Sequence, residues 1–246
     1  WKTGGGSTWV SGNYDPATNL LFWGVGNGGP WMGDQRHGDN LYLSSTIAIN
    51  AATGAITGHQ QYEPNESWDW DEVSPPLLID FKRGARTVKG LINVARNGYT
   101  YFLERTSGPI NFVDANAYVK QNVFLSIDPK TGRAEIDPDR KPGTGKKADF
   151  CPTWWGGKNW PPAAFSPQTR LIYIPTQENL CATMVGRPVQ YRPGGSFAGA
   201  TSELYIAPGA DHISEVQAWN VDTATRVWTH RFAKSANWGG MLATAG

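Results

Sequence analysis

The sequence has few charges, few cysteines and no long apolar run, and each shortage excludes a class of protein. Charged residues make up 17% of the 246 positions and the formal net charge is +1 at pH 7, so no basic surface argues for nucleic acid or an anionic membrane as a partner. No segment approaches the ~20 apolar residues of a membrane-spanning helix. The chain begins at Trp1 without a signal peptide, so we expect its start to be a processed end or a cut.

Helical periodicity is absent as well, whereas Gly, Pro and Trp are abundant, at 29, 17 and 12 residues. Short apolar runs flanked by Gly, Asn, Asp or Pro recur along the chain, at 20–25, 45–50, 90–95, 99–104, 123–128, 171–176 and 215–221. Such runs predict strands bounded by turns, and therefore an all-β protein. The compositions of residues 139–147 and 186–200 predict loops.

A weak internal repeat refines this prediction. The segments AINAATGAITG (48–58), SIDPKTGRAEI (126–136) and AWNVDTATRVW (218–228) share an Asn or Asp followed by a turn that resembles Thr-Gly. Each unit predicts a strand, a tight turn and a returning strand. Repeated meanders of this kind favour a β-propeller, with a β-sandwich as the alternative.

The sequence contains two cysteines, Cys151 and Cys181. From the residues alone, a disulfide and two buried thiols are both open. A disulfide would place the chain in an oxidising compartment such as a periplasm.

The third repeat resembles the tryptophan-docking motif of the dehydrogenases that use pyrroloquinoline quinone (PQQ), with Ala224 in the glycine position. Seven further motifs follow the order of the methanol- and ethanol-type members: WKTGGGSTW, YDPATNLLFWGVGNGGPW, RHGDNLYLSSTIAI, SWDWD, ARNGYTYFLERTSG, WWGGKNWPPAAFSPQT and NWGGMLATAG. Gly58 and Ile136 replace the usual docking tryptophan in the other two repeats, so we expect looser blade contacts there.

The resemblance implies an all-β fold, an eight-bladed propeller with four-stranded antiparallel blades. Members of the family are about twice as long, so residues 1–246 are expected to form a single partial propeller domain, about half the ring, with N- and C-terminal blades missing. Uncovered sheet edges should make this piece poorly stable and inactive by itself, binding neither PQQ nor metal tightly.

The activity implied by the resemblance is oxidation of a primary alcohol of the methanol or ethanol class to the aldehyde, with PQQ accepting hydride and electrons passing to cytochrome c. The implied setting is the periplasm, with a homodimer as the assembly. Two alternatives are a PQQ-dependent sugar or polyol dehydrogenase and a non-catalytic propeller scaffold of the outer-membrane assembly type. A scaffold would have no reason to keep all the site residues named below.

Five residues match cofactor-binding positions of the family. Trp9 matches the indole on which the quinone lies. A flat ring system stacks well on an aromatic side chain, and an indole offers a large stacking surface. Ser7 matches a hydroxyl that binds a PQQ carboxylate. Arg96 matches the cation at the quinone oxygens, and arginine at this position is typical of methanol-type members. Asn159 matches an amide donor at the quinone edge, and Trp238 matches a tryptophan that contacts the cofactor.

Three residues match the metal and catalytic positions. Asn27 matches the amide ligand of the active-site metal, and Asp69 matches the carboxylate that ligates this metal and removes the alcohol proton. Asp71 matches an additional ligand found in lanthanide-using members, where calcium-using members carry a small residue. A third hard oxygen ligand with negative charge favours a trivalent ion, so a lanthanide is expected, with calcium as the alternative. The resemblance also implies a Cys151–Cys181 disulfide.

Overall fold

The computed structural model describes residues 4–245. Residues 1–3 and 246, which belong to the first and last quoted motifs, lie outside the described residues. Within this range the chain forms strands joined by turns and loops, with two short 3-10 helices at Gly33–Gln35 and Pro138–Arg140. No helix in the described part of the chain is long and apolar enough to cross a membrane.

The strands are β1 (Gly4–Gly5), β2 (Asn13–Asp15), β3 (Leu20–Val25), β4 (Gly28–Gly29), β5 (Ser45–Asn50), β6 (Ile56–Gln61), β7 (Phe81–Arg83), β8 (Arg86–Val88), β9 (Gly90–Val94), β10 (Tyr99–Arg105), β11 (Ile110–Ala117), β12 (Phe124–Ile127), β13 (Ala134–Ile136), β14 (Lys147–Phe150), β15 (Ala164–Ser166), β16 (Leu171–Thr176), β17 (Leu180–Gly186), β18 (Ala200–Ile206), β19 (Ser214–Asn220) and β20 (Thr225–Phe232).

These strands form four larger antiparallel sheets. Sheet I has the order β2-β3-β5-β6, sheet II β11-β10-β9, sheet III β14-β17-β18 and sheet IV β15-β16-β19-β20. Two of the four sheets therefore have the expected four strands and two have three. An isolated bridge between Leu77 and Ile92 extends the open edge of sheet II. Three two-stranded ribbons, β1-β4, β7-β8 and β12-β13, complete the described sheets.

Sheet II is buried on both faces, as a propeller blade between two neighbours should be. Successive residues of β10 point to opposite faces. Tyr101 and Leu103 belong to a core cluster that includes Leu20 of sheet I. Phe102 belongs to a second cluster that includes Ile172 of sheet IV. The sheets therefore stack face to face, and this stacking confirms the predicted partial propeller.

The internal repeat corresponds to one turn geometry used three times. Each repeat crosses the turn of an antiparallel pair, β5-β6, β12-β13 or β19-β20. In each turn the side-chain oxygen of the shared Asn or Asp accepts hydrogen bonds from the backbone N–H groups two and three residues later, at Asn50, Asp128 and Asn220. A short polar side chain at this position thus stabilises the chain reversal.

The glycine position of the repeat has a left-handed backbone in all three turns. The φ angles are 73° at Gly54, 72° at Gly132 and 54° at Ala224. Glycine adopts this conformation without steric strain, whereas alanine does so at a cost. A Cβ atom on Gly54 would meet no described residue within 4 Å, but one on Gly132 would lie 2.4 Å from the ring of Phe112.

The expectation of looser contacts at the docking positions is wrong at Gly58. A Cβ atom there would lie 2.6 Å from the carbonyl oxygen of Gly108, so the two backbones approach closely because Gly58 has no side chain. Ile136 is half-buried and packs against a core cluster. Trp228 remains 43% exposed and packs at 6.0 Å from Tyr173 within its own sheet.

The fold gathers loops from different sheets at one place. An isolated bridge joins Val25, the last residue of β3, to Glu72. This bridge sets the residues that follow β3 beside residues 69–71, which lie in the loop after β6. Arg96 lies just beyond β9, and Asn159 lies in the loop between β14 and β15. The candidate site is built where these loops meet.

Candidate active site

The SWDWD segment is a loop whose two indoles anchor it in the core. Trp68 and Trp70 are fully buried, and their rings stack at 4.9 Å with an interplanar angle of 18°. The Nε1 of Trp68 donates to the carbonyl of Arg140, at 2.8 Å, and that of Trp70 donates to the carbonyl of Thr153, at 2.9 Å. The indoles therefore hold the backbone of Asp69 in place from behind.

Asn27, Asp69 and Asp71 lie together although they are far apart in the sequence. The side-chain nitrogen of Asn27 donates to Oδ1 of Asp69 at 2.6 Å, and its backbone N–H donates to Oδ1 of Asp71 at 2.8 Å. Asp69 adopts a left-handed backbone with φ of 67°, which is uncommon for a residue with a side chain. Strain of this kind is concentrated at functional sites.

Arg96 connects the two aspartates to Asn159. Its Nη2 lies 3.5 Å from Oδ2 of Asp71 and donates to Oδ1 of Asn159 at 3.3 Å. Its Nη1 donates to the backbone carbonyl of Asp69 at 3.2 Å. Asn159 is fixed in turn, because its Nδ2 donates to the carbonyl of Trp155 at 2.9 Å. These hydrogen bonds join five of the predicted site residues into one network.

The other three predicted residues lie outside this network. The backbone carbonyl of Ser7 accepts from the N–H of Gly26 at 2.9 Å, which sets Ser7 beside the network. Trp238 is 43% exposed and contacts Trp155 edge-on at 5.1 Å. Trp9 is 49% exposed, and no hydrogen bond or ring contact within residues 4–245 joins it to the network.

The network carries more negative than positive charge. Burial raises the pKa of Asp69 well above its usual value, and the nearby carboxyl groups of Glu66 and Asp71 raise it further. The Arg96 cation and the hydrogen bond from Asn27 oppose this shift only in part. A cation next to Asp69 would favour its ionised form, so the electrostatics of this loop suit a bound metal ion.

Three buried charged residues that were not among the predicted site residues lie behind the site. Glu66 accepts hydrogen bonds from the backbone N–H groups on both sides of Asp69. Glu72 accepts from the backbone N–H of Arg96 at 2.7 Å, and burial raises its pKa to about 8. Lys158 donates to the carbonyl of Asn159 at 2.7 Å, and burial lowers its pKa to about 7. Glu66 and Glu72 each lie three residues from Asp69 in the sequence, and this proximity was the available signal.

The Cys151–Cys181 disulfide is present, as the resemblance implied. Cys151 directly follows β14 and Cys181 lies in β17, which pairs with β14. Asn159 and Trp155 lie between the two cysteines in the sequence. The bond therefore fixes one end of the loop that carries Asn159 to sheet III.

The donor set fits a hard metal ion. Two carboxylates and one amide offer oxygen ligands only, as such ions prefer. The amide would have to turn its oxygen, rather than the nitrogen that now faces Asp69, toward the ion. Within residues 4–245 no group of three or more Asp, Glu, His or Cys side chains is placed to hold a metal, so a full coordination sphere needs ligands beyond these two carboxylates.

The site also has features that fit a flat, anionic cofactor such as PQQ. Trp9 and Trp238, which lie outside the hydrogen-bonded network, keep large parts of their rings exposed, as a stacking surface requires. The Nε of Arg96 is buried and has no hydrogen-bond partner among residues 4–245. Buried polar atoms are seldom left unpaired, so this N–H is available to an additional acceptor.

A comparison with protein families gives a match over half of the chain. Residues 1–124 match the model described as PQQ, the β-propeller domain of glucose, ethanol and alcohol dehydrogenases.

Named relatives match the whole chain. The quinoprotein alcohol dehydrogenase PedH of Pseudomonas putida is 35% identical over 100% of this chain and 42% of its own length. The lanthanide-dependent methanol dehydrogenase of Methylorubrum extorquens is 34% identical, again over 100% of this chain and 42% of its own length. The chain thus spans about two fifths of the length of these relatives.

Solved structures agree with this likeness. A europium-containing methanol dehydrogenase superposes with a TM-score of 0.87 and 32% identity, covering 94% of this chain and 40% of that one. The quinohemoprotein alcohol dehydrogenase of Comamonas testosteroni gives a TM-score of 0.85 and 29% identity, over 98% and 37%. The chain belongs to the β-propeller family of PQQ-dependent glucose, ethanol and alcohol dehydrogenases.

Proposed function

We propose that the protein of which these residues form a part is a PQQ- and metal-dependent dehydrogenase that oxidises a primary alcohol of the methanol or ethanol class to the aldehyde. The observation that supports this most directly is the convergence of Asn27, Asp69 and Asp71, joined through Arg96 to Asn159. A non-catalytic propeller scaffold would not need this network of oxygen donors and a buried cation.

Bound PQQ would supply the hydride acceptor, and the metal ion would act as a Lewis acid beside it. Asp69 is the proposed base that takes the proton of the alcohol hydroxyl group. Its carboxylate is held by Asn27, and its strained backbone is held by the anchored indoles on both sides. We assign it a second role as a metal ligand, together with Asn27 and Asp71.

Arg96 and Asn159 would bind the oxygen-bearing edge of the cofactor. Arg96 is almost fully buried, so its positive charge acts in a medium of low polarity and is weakly screened by water. It would favour negative charge that develops on a neighbouring oxygen. Trp9 would provide the stacking surface, and Ser7 and Trp238 would complete the cofactor site.

A lanthanide is the metal we propose, with calcium as the alternative. Asp71 faces the site rather than solvent, since its oxygens contact the backbone N–H of Asn27 and the guanidinium of Arg96 and its side chain is 15% exposed. A second carboxylate ligand adds negative charge that suits a trivalent ion. Two of the relatives are named for lanthanides: a lanthanide-dependent methanol dehydrogenase and a europium-containing one.

Further proposals concern the setting of the enzyme. One relative is named methanol dehydrogenase [cytochrome c] subunit 1, which supports a cytochrome c as the electron acceptor here as well. The Cys151–Cys181 disulfide favours an oxidising compartment, and we propose the periplasm. On the family resemblance, we also propose that residues 1–246 form a single partial propeller domain and that the enzyme is a homodimer.

Two substitutions test the proposed roles in the protein expressed from its complete reading frame and loaded with PQQ. Asp69→Asn should lower kcat for methanol or ethanol by about 10²- to 10⁴-fold, the usual contribution of a general base. Asp71→Ala should abolish turnover with lanthanum and spare turnover with calcium. Equal loss with both ions would contradict the lanthanide assignment, and full activity of Asp69→Asn would contradict the catalytic assignment.

A further inference from the structure

Glu66 is a buried carboxylate that has no place in the roles assigned above. It is 1% exposed and lies three residues before Asp69. One oxygen, Oε1, accepts the backbone N–H of Trp68 and, at 2.9 Å, that of Trp70. The other, Oε2, is buried and finds no hydrogen-bond partner in the part of the chain that the structure describes. A carboxylate is costly to bury unless it is hydrogen-bonded, so this residue needs an explanation.

The two N–H groups that Glu66 accepts belong to the residues directly before and after Asp69. They converge on one oxygen atom, and this brings the backbone on either side of Asp69 to a common point. Between them Asp69 has a φ of 67°. That conformation is disfavoured for any residue with a Cβ, so it persists only where neighbouring contacts enforce it.

The same residue also ties this loop to the loop that carries Asn27. The backbone carbonyl of Glu66 accepts from Nη2 of Arg36 at 2.6 Å. Arg36 donates through Nε to the carbonyl of Pro30 at 2.7 Å, and its guanidinium packs on Gly28, next to Asn27. The side chain of Glu66 thus holds the loop of the proposed base. Its backbone carbonyl, through Arg36, ties that loop to the segment that carries Asn27.

We propose that Glu66 is a positioning residue for Asp69: by accepting both flanking N–H groups it holds Asp69 in the left-handed conformation that directs its carboxylate at Asn27. The inference rests on the proposed function, in which Asp69 is the base. Displacement of a reacting group by about 1 Å can cost about 10²-fold in rate, so loss of this contact should affect turnover more than substrate binding.

Two neutral side chains of similar size separate the acceptor role from charge and packing. Glu66→Gln keeps a side-chain oxygen that accepts both N–H groups, whereas Glu66→Met has none. In the PQQ- and metal-loaded protein from the complete reading frame, kcat of Glu66→Met should be about 10- to 100-fold below that of Glu66→Gln, with KM within about threefold. Ser67→Ala is the matched control, because its hydroxyl is a buried acceptor in the same loop but binds Gly33 instead, at 2.8 Å.

A double-mutant cycle with Asp69→Asn separates positioning of Asp69 from general destabilisation. In an Asp69→Asn background the change from Glu66→Gln to Glu66→Met should lower the residual kcat by less than about threefold, since effects of residues that act as a unit are not additive. Equal kcat values for the two Glu66 variants, or the same factor with and without Asp69, would overturn the proposal. A loss in Ser67→Ala as large as that in Glu66→Met would also overturn it.

Amide hydrogen exchange gives a readout that does not depend on activity. Exchange at the N–H groups of Trp68 and Trp70 should be at least about tenfold faster in Glu66→Met than in Glu66→Gln or Ser67→Ala. If Glu66→Met does not fold, Glu66→Asp, which withdraws the carboxylate by one methylene, takes its place with the same expectations. If the wild-type protein oxidises no alcohol, the proposed function fails, whereas unchanged exchange in an active protein refutes the role of Glu66.

Discussion

Gly26 offers a test of the metal site that leaves every proposed ligand unchanged. It lies between the end of β3 and Asn27, and its backbone N–H donates to the carbonyl of Ser7. A Cβ atom on Gly26 would lie 2.4 Å from Oδ1 of Asp71. We predict that Gly26→Ala displaces the Asp71 carboxylate and weakens metal binding.

The size of the effect follows from these distances. Nonbonded heavy atoms pack at about 3.5 Å, so the carboxylate must retreat by about 1 Å. The hydrogen bond from the N–H of Asn27 to Asp71, now 2.8 Å long, would then exceed the usual limit. A carboxylate displaced by this distance also loses its contact with the ion. If that contact contributes as much as a hydrogen bond to a charged group, about 1.5–3 kcal/mol, the metal Kd rises about 10- to 150-fold.

The assay uses the PQQ-loaded, metal-free protein expressed from its complete reading frame. Tb³⁺ is titrated in and its luminescence is followed, with lanthanum-dependent alcohol oxidation as a second readout. Gly108→Ala is the control, because a Cβ atom there would meet no atom of the described range 4–245 within 4 Å and the residue has no positive φ. Its Kd should equal that of the wild type. If Gly26→Ala binds Tb³⁺ as tightly as Gly108→Ala does, the placement of Asp71 in the metal site is wrong.

Three further predictions concern stability. Replacing Cys151 and Cys181 by Ala removes a disulfide that spans 30 positions. Because the unfolded chain then gains loop entropy, the unfolding free energy measured in urea should fall by about 4 kcal/mol. A loss under about 1 kcal/mol would contradict this reasoning. Gly54→Ala should lower the unfolding free energy by about 1 kcal/mol, from its backbone conformation alone. Gly132→Ala should lower it by about 1–3 kcal/mol more, because the added Cβ atom also meets an aromatic ring. Equal losses in urea unfolding would argue against that collision. Burial lowers the pKa of Lys158 from 10.5 to about 7, so the unfolded state binds more protons than the folded state above pH 7. The unfolding free energy should therefore rise with pH relative to that of Lys158→Met, by up to about 1.4 kcal/mol per pH unit. Parallel thermal melting midpoints of the two proteins from pH 7 to 9 would contradict this last prediction.

The strands and turns could be predicted because their causes are local. The runs at 20–25, 45–50 and 171–176 coincide with β3, β5 and β16. The repeated Asn or Asp also has the turn role that its spacing predicts. Strands such as β18 were missed, since its sequence ATSELYI mixes small and polar residues and it remains largely exposed. An exposed strand has no apolar alternation to reveal it.

The candidate site was predictable only through the family resemblance. Taken alone, Asn27 between glycines indicates a turn, and alternating Trp and Asp indicates a strand with one buried face and one solvent-exposed face. In the structure, residues 67–71 form a loop, because Glu66 accepts the N–H groups that a strand would offer to a neighbour. Sequence proximity places Glu66 and Glu72 near Asp69, but it does not show that these two residues or Lys158 are buried, since burial depends on contacts between distant segments.

The sequence by itself determined the apolar strands, the three repeated turns and the set of residue types available for chemistry, because turn conformation depends on neighbours within a few positions. Only the tertiary structure decided which oxygen atoms meet. Asn27 lies 42 positions from Asp69, and Arg96 lies 63 positions from Asn159. Such pairs meet because sheets that are buried on both faces must stack, and this stacking brings the loops at their ends together.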